Sequence, residues 1–299
     1  FCIPIMVGTL FQQLYNIVDV IVVGRFVSTK ALACVGGSSG MMINLFVGFF
    51  TGMTSGVTVI VARYFGAADW WHLNEGIHTS IAIAIIGGVL FGVLGVAFTP
   101  LLLQLLGTPN ELMNGSLLYL RIYFTGILFT FLFNTGSAIL RALGDAKQPL
   151  YYLMICCFVN IVLDVLLVIV FHLGIAGVAI ATVTAQAVSS CMVLHALQHL
   201  NVEFRVKWKQ IKFHKQLFFE IIRIGLPAGI QSVMNSLSGM IMTSAVNSLG
   251  TIAVAGNTAY AKLDGIYWMV SNAFSVSIAT FVAQNLGAKK FDRVKQSIV

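Results

Sequence analysis

Asp164 lies in an otherwise apolar run, Met154-Ile-Cys-Cys-Phe-Val-Asn160-Ile-Val-Leu-Asp164-Val-Leu-Leu-Val-Ile-Val-Phe171. A charge at the centre of a membrane helix costs at least about 2.5–3.5 kcal/mol, so such a residue faces a partner or a water-filled cavity. The only other strongly polar residue of the run is Asn160, and i,i+4 spacing puts both side chains on one helix face. A second acid, Asp19, follows Leu10-Phe-Gln12-Gln13-Leu-Tyr15-Asn16-Ile-Val. Gln12, Tyr15, Asn16 and Asp19 recur at helical spacing and predict one polar stripe facing a cavity or another polar helix. Thr182 adds a hydroxyl further along. Two carboxylates, an amide oxygen and a hydroxyl suit a hard cation, which wants several oxygens. They equally suit a proton, because two buried carboxylates repel and sharing a proton relieves both. The alternative is an interhelical hydrogen-bond cluster that only fixes packing, but packing rarely needs two acids. The third deep acid, Asp264, has Lys262 two residues away and so on a different helix face.

The elements that position these residues are membrane helices. The chain is 299 residues, 58% hydrophobic and 9% charged, with a mean hydropathy of +0.93; soluble domains carry about 25% charged residues. Its apolar runs are long and uninterrupted, which excludes a barrel of short alternating strands. At about 20 residues per crossing, eight spans are expected, near 1–24, 33–62, 77–106, 117–140, 150–172, 176–199, 224–247 and 252–284. The five cysteines lie in or beside apolar spans without C-x-x-C spacing and read as packing residues. Gly48-x-x-x-Gly52-x-x-x-Gly56 and Gly88-x-x-x-Gly92 predict close helix approach. The first residue is Phe, already in an apolar segment, so the sequence reads as lacking its natural N-terminus.

Arg25 and Lys30 alone occupy the odd-numbered gaps between spans. The even-numbered gaps hold Arg63, Arg141, Lys147, Arg205, Lys207, Lys209, Lys212, Lys215, Arg223, Lys289, Lys290, Arg293 and Lys295, which is 13 bases against 2. The positive-inside rule then places the even gaps in the cytoplasm. Arg121 and Lys262 remain near or within spans. The net charge of +7 is thus loop charge and no sign of nucleic-acid binding. The basic stretch 201–223 reads as a cytoplasmic loop, with Trp208 and Phe213 suited to the membrane interface.

The chain also repeats itself. Pro4 aligns with Pro227, Thr29-Lys-Ala31-Leu-Ala33 with Thr251-Ile-Ala253-Val-Ala255, and Val61-Ala62-Arg-Tyr-Phe-Gly66-Ala67 with Val282-Ala283-Gln-Asn-Leu-Gly287-Ala288. Six spans separate the copies, so the repeat is parallel, about an axis along the membrane normal, with a binding site expected between the halves. The expected fold is an all-α polytopic membrane protein. A first six-helix lobe (1–200) leads through an inter-lobe loop (201–223) into the first two helices of a second lobe (224–299). By this symmetry four spans of a twelve-span protein are missing. Pro4 and Pro227 are expected to open corresponding helices and permit bending.

Enzymatic chemistry has little support. Neither G-x-x-x-x-G-K-[ST] nor H-E-x-x-H occurs. Gly36-Gly-Ser38-Ser-Gly40 formally fits G-x-S-x-G but sits at a membrane span, where it reads as small-residue packing.

Together these segments resemble the multidrug and toxic compound extrusion (MATE) transporters. The likeness is carried by Pro4, Gln12-Gln-Leu-Tyr15-Asn-Ile-Val-Asp19, Val23-Gly24-Arg25 and Ala31-Leu-Ala33, then Val61-Ala62 with Phe65-Gly66-Ala67. It continues in Arg141-Ala-Leu-Gly144-Asp145-Ala-Lys147-Gln-Pro149, Asn160-Ile-Val-Leu-Asp164 and Gly174-Ile-Ala-Gly177-Val-Ala179-Ile-Ala181-Thr182. The resemblance implies two six-helix lobes around a cavity, and export of lipophilic, often cationic compounds by sodium or proton antiport. It implies a cation-coupling site at Asp19, Asn160, Asp164 and Thr182, cavity-lining roles for Gln12, Tyr15 and Asn16, and a first-helix bend at Pro4. Some members carry a glutamate in span 7; Pro227-Ala-Gly-Ile-Gln231-Ser-Val-Met-Asn235 has no acid there. The expected partners are small-molecule drugs or toxins and the lipid bilayer of the plasma membrane, with no nucleic acid. No cofactor beyond the coupling ion, Na⁺ or H⁺, is expected, and the full-length protein is expected to be monomeric. The rival readings are a flippase for lipid-linked sugars, which should show a strongly cationic cavity, and a receptor or scaffold that transports nothing.

Overall fold

The computed structural model describes residues 1–247 and 251–298, with the side chains of 210, 244, 247, 251–255, 258–259, 261–263 and 298 outside the description. The repeat residues Thr251-Ile-Ala253-Val-Ala255 and Lys262 therefore lie outside the described side chains. Every regular element among the described residues is helical: α1 (Cys2–Phe26), α2 (Thr29–Gly36), α3 (Ser38–Gly66), α4 (Trp70–Leu105), α5 (Asn110–Thr125), α6 (Ile127–Ala142), α7 (Lys147–Asp164), α8 (Gly174–Gln198), α9 (Lys215–Asn247), α10 (Thr251–Gly287) and α11 (Phe291–Ile298). A π-helical segment, Val165–Val170, continues α7. Seven helical runs are long and apolar enough to cross a membrane, and the pair α5–α6, bent by 47° at Gly126, makes an eighth among the described residues. The chain is a multi-pass membrane protein. Helices are its spanning elements because a lipid-exposed backbone must satisfy its hydrogen bonds within the segment.

Local chemistry sets the breaks. Ser28 accepts the Ala31 N–H to open α2 and Asp69 accepts the His72 N–H to open α4, as N-cap residues do. α6 closes with a Schellman turn: Asp145 N–H reaches Leu140 carbonyl and Gly144 N–H reaches Arg141 carbonyl, each at 2.9 Å. Gly144 takes a φ of +96° there, which explains the glycine of the Arg141-Ala-Leu-Gly144-Asp145 segment. α3 ends in the same turn, with Ala68 at φ +54°, and α10 repeats it with Lys289 at φ +56°. In α3, Asp69 N–H bonds Tyr64 and Ala68 N–H bonds Phe65; in α10, Lys290 bonds Asn285 and Lys289 bonds Leu286. The internal repeat thus extends to its helix ends.

The two copies touch reciprocally. A Cβ on Gly66 would strike the Gln284 carbonyl, and a Cβ on Gly287 would strike the Arg63 carbonyl. Arg63 and Gly66 correspond to Gln284 and Gly287 in the repeat, so the contact is nearly two-fold symmetric. α3 also packs along α9, where Gly52 meets Ala228–Gly229 and Gly56 meets Ile221 and Gly225. Glycines at this spacing let two backbones approach. Gly88 and Gly92 do the same for α4 against Leu128 and Phe124.

Four expectations need correction. Pro227 does not open its helix; it lies inside α9, a position that membrane helices tolerate. Residues 215–223 are the first turns of α9, so the basic loop is shorter than its composition implied. Arg63, Arg141, Lys147, Lys215 and Arg223 belong to helices α3, α6, α7 and α9 rather than to loops; Arg63 reaches Glu220 of α9 and Arg141 has its Nε sealed inside the first lobe. The span expected as one helix over 117–140 is two helices meeting at Gly126, where Val183 leaves no room for a Cβ.

Candidate functional site

Asp19, Asn160, Asp164 and Thr182 are all buried in the first lobe, at 7%, 2%, 0% and 7% exposure. Asp19 comes from α1, Asn160 and Asp164 from α7, and Thr182 from α8; α7 packs against both α1 and α8. The carboxyl groups of Asp19 and Asp164 adjoin. Asp19 Oδ1, both Asp164 oxygens and both amide atoms of Asn160 are sealed from solvent without a hydrogen-bond partner. Buried polar groups are nearly always partnered, so a cluster of orphaned atoms marks a place where a proton, ion or water belongs. The Thr182 hydroxyl donates to Val178 carbonyl at 3.0 Å, which leaves its oxygen lone pairs free to accept or to coordinate. No group of three or more His, Cys, Asp or Glu side chains clusters among the described residues. Any cation at the pair would need neutral oxygens such as those of Asn160 and Thr182.

Asp164 is the last residue of regular α-helix before the π-helical Val165–Val170. Phe171 N–H bonds Leu166 carbonyl five residues back, the wide turn that recurs at functional sites. α8 closes on this segment through Gly177, whose Cβ would meet the Leu167 backbone at 3.2 Å. The widened turn is invisible in the sequence, because Val-Leu-Leu-Val-Ile-Val suits either helix.

The predicted polar stripe of α1 splits into two rows. Tyr15 and Asp19 are buried and point into the lobe, whereas Gln12 and Asn16 are exposed. At 3.6 residues per turn each i,i+4 pair stays together while the two pairs diverge around the helix. Gln12, Gln13, Asn16 and Asp19 line a cleft of about 490 Å³ closed by Gly36, Gly40 and Asn44 at the α2–α3 junction and by Tyr119 of α5. Gln12 and Tyr15 also line an inner pocket of about 130 Å³. α1 runs unbroken from Cys2 to Phe26 with Pro4 in its first turn, where a missing N–H costs no helical bond.

Sequence reasoning missed Tyr119, which stands within electrostatic reach of both carboxylates, and Cys156, which lies close to Asp19. The i,i+4 tyrosines 119 and 123 ahead of Gly126 were a usable signal. Asp264 is partnered by the Tyr260 hydroxyl of its own helix at 3.3 Å, and Arg121 is exposed.

Comparison with known proteins agrees with the helical fold. The family model described as MatE covers residues 4–166 and 227–299. The chain is 30% identical over 306 residues to "Probable multidrug resistance protein YoeA" of Bacillus subtilis (strain 168), covering 100% of this chain and 66% of that protein. It is 31% identical to "Probable multidrug resistance protein YpnP" of the same strain, covering 98% of this chain and 65% of that protein. The chain thus spans just under two thirds of these relatives, at 66% and 65% of their lengths. A solved structure described as the outward-facing conformation of a multidrug resistance MATE family transporter superposes with a TM-score of 0.89 at 22% identity, covering 99% of this chain and 66% of that one.

Proposed function

The chain belongs to the MATE family, and from that premise we propose that the protein containing it is a cation-coupled multidrug efflux antiporter. It exports lipophilic or cationic small molecules across the plasma membrane and performs no enzymatic chemistry. The observation that supports this reading is the adjoining pair Asp19 and Asp164, buried with three orphaned carboxylate oxygens beside the orphaned amide of Asn160. Two ionised carboxylates offer only acceptors to each other, so the pair needs a proton or a metal cation between them. Na⁺ would draw on Asp19, Asp164, the Asn160 carbonyl and the Thr182 hydroxyl; a proton would need the two acids alone.

Occupation of the pair removes the repulsion between α1 and α7 and lets the two helices pack more closely. Gln12 and Asn16 sit on α1 one row away and line the cleft, so movement of α1 changes the shape of the space offered to a drug. A cation drives this exchange only through different affinities for the two states. The two halves rock about the Arg63–Gly66 and Gln284–Gly287 contact, with the even-numbered loops in the cytoplasm. The flippase reading is weakened by the cleft, which is lined by Asp19 and by no Lys or Arg and so opposes a pyrophosphate.

Dye efflux from pump-deficient cells expressing the full-length protein tests the class. Efflux that stops when the sodium and proton gradients are both collapsed supports antiport. Efflux indifferent to both gradients overturns it.

A further inference from the structure

A second cluster of orphaned groups lies elsewhere in the first lobe. Arg141, in the last turn of α6, has its Nε sealed from solvent without a hydrogen-bond partner. Among the described residues no ion pair includes it. Ser137, one turn earlier and 1% exposed, and Gln186 of α8, 8% exposed, leave Oγ and Oε1 equally unpartnered. All three line the inner pocket of about 130 Å³, together with Gln12, Tyr15 and Asn134. No Asp or Glu lines it. All its walls come from the first lobe.

Arg141 is half-buried, with its Nε sealed and no acid paired to it, so its charge is left uncompensated beside the pocket and the attraction that would offset this is to an anion. The surrounding groups are what an anion site needs. Ser137 donates an O–H, the Gln186 amide donates an N–H once its carbonyl is turned away, and the guanidinium supplies a planar fork. The volume admits a chloride, or a carboxylate with a water, and excludes a large polyol acid.

We infer that the pocket formed by Arg141, Ser137 and Gln186 binds a small monovalent anion, either free chloride or the carboxylate of a transported compound. Neither acid of the Asp19–Asp164 pair lines this pocket; Asp19 lines the other cleft, with Gln12 shared between the two spaces. The anion site therefore stands or falls independently of cation coupling.

The test is the thermal midpoint of the purified full-length protein in lipid nanodiscs, titrated with sodium chloride, sodium acetate or sodium gluconate at constant sodium and ionic strength. Chloride or acetate should raise the midpoint saturably while gluconate does not, and Arg141→Gln should abolish the difference. Should Arg141→Gln fail to fold, Ser137→Ala and Gln186→Leu keep the cation and should raise the half-saturating anion concentration several-fold. Saturation by chloride identifies the free halide, and saturation by acetate alone identifies a carboxylate ligand. The inference is overturned by equal midpoints in all three salts, or by an anion response that these substitutions leave unchanged.

Discussion

Asp19 of α1 and Asp164 at the end of α7 adjoin inside the first lobe, with three of their four oxygens buried and unpartnered. The pairing places two acids 145 positions apart in sequence beside a single amide, Asn160. The π-helical segment begins immediately after Asp164, so the acid sits where α7 stops being regular.

Removing a neutral partner of the pair should weaken coupling without abolishing it. Asn160→Leu or Thr182→Val is expected to raise the half-saturating cation concentration for efflux roughly tenfold, the equivalent of about 1.4 kcal/mol for one lost polar contact. Cation titration of transport in vesicles reads this directly, and unchanged half-saturation in both variants would remove Asn160 and Thr182 from the site.

How far the sequence alone leads differs between the two acids and their surroundings. The Asn160–Asp164 face and the polar residues around Asp19 were legible, because polar groups in apolar runs stand out and helical spacing is regular. The eight spans were legible for the same reason. Three features were not: the π turn after Asp164, the bend at Gly126 and the inward turn of Arg141. Each depends on neighbours distant in sequence, such as Leu167 against Gly177, or Val183 against Gly126. Arg141 looked like a loop base because composition cannot say which way a terminal side chain turns. Pro227 looked like a helix start because proline favours the first turn, whereas membrane helices also tolerate it in their interior.

The reciprocal glycine contact should tolerate no side chain. Gly66→Val and Gly287→Val each place atoms into the backbone of the opposite helix, and overpacking of this kind costs about 1–3 kcal/mol. Spin labels on α3 and α10 are expected to move apart in either variant, with a lowered thermal midpoint. An unchanged label distance would show that the contact yields elsewhere.

Arg63 of α3 pairs with Glu220 of α9 at 2.5 Å, with Tyr64 hydroxyl donating to the same carboxylate at 3.4 Å. The side chains are 38% and 29% exposed, so the pair is screened and should contribute under about 1 kcal/mol. A double-mutant cycle with Arg63→Gln and Glu220→Gln measures it, and a coupling of several kcal/mol would mean that the site is drier than its exposure indicates.

Asp69 links α3 to α4 and has its carboxyl held below the ordinary value, first by the His72 N–H and then by the His72 ring. A depressed carboxylate contributes stability above its unfolded value and loses it as pH falls through the folded one. Asp69→Asn, which keeps a capping oxygen, should flatten the acid limb of the midpoint-versus-pH curve. Asp69→Ala should also lose the cap, costing about 1 kcal/mol at neutral pH.

The most direct measurement is coupled efflux by Asp19→Asn and Asp164→Asn in the full-length protein, reconstituted into drug-loaded vesicles under an imposed cation gradient. Both variants are expected to insert and fold normally, yet to lose the gradient-driven component of efflux. Normal coupled efflux by both would contradict a coupling role for the pair.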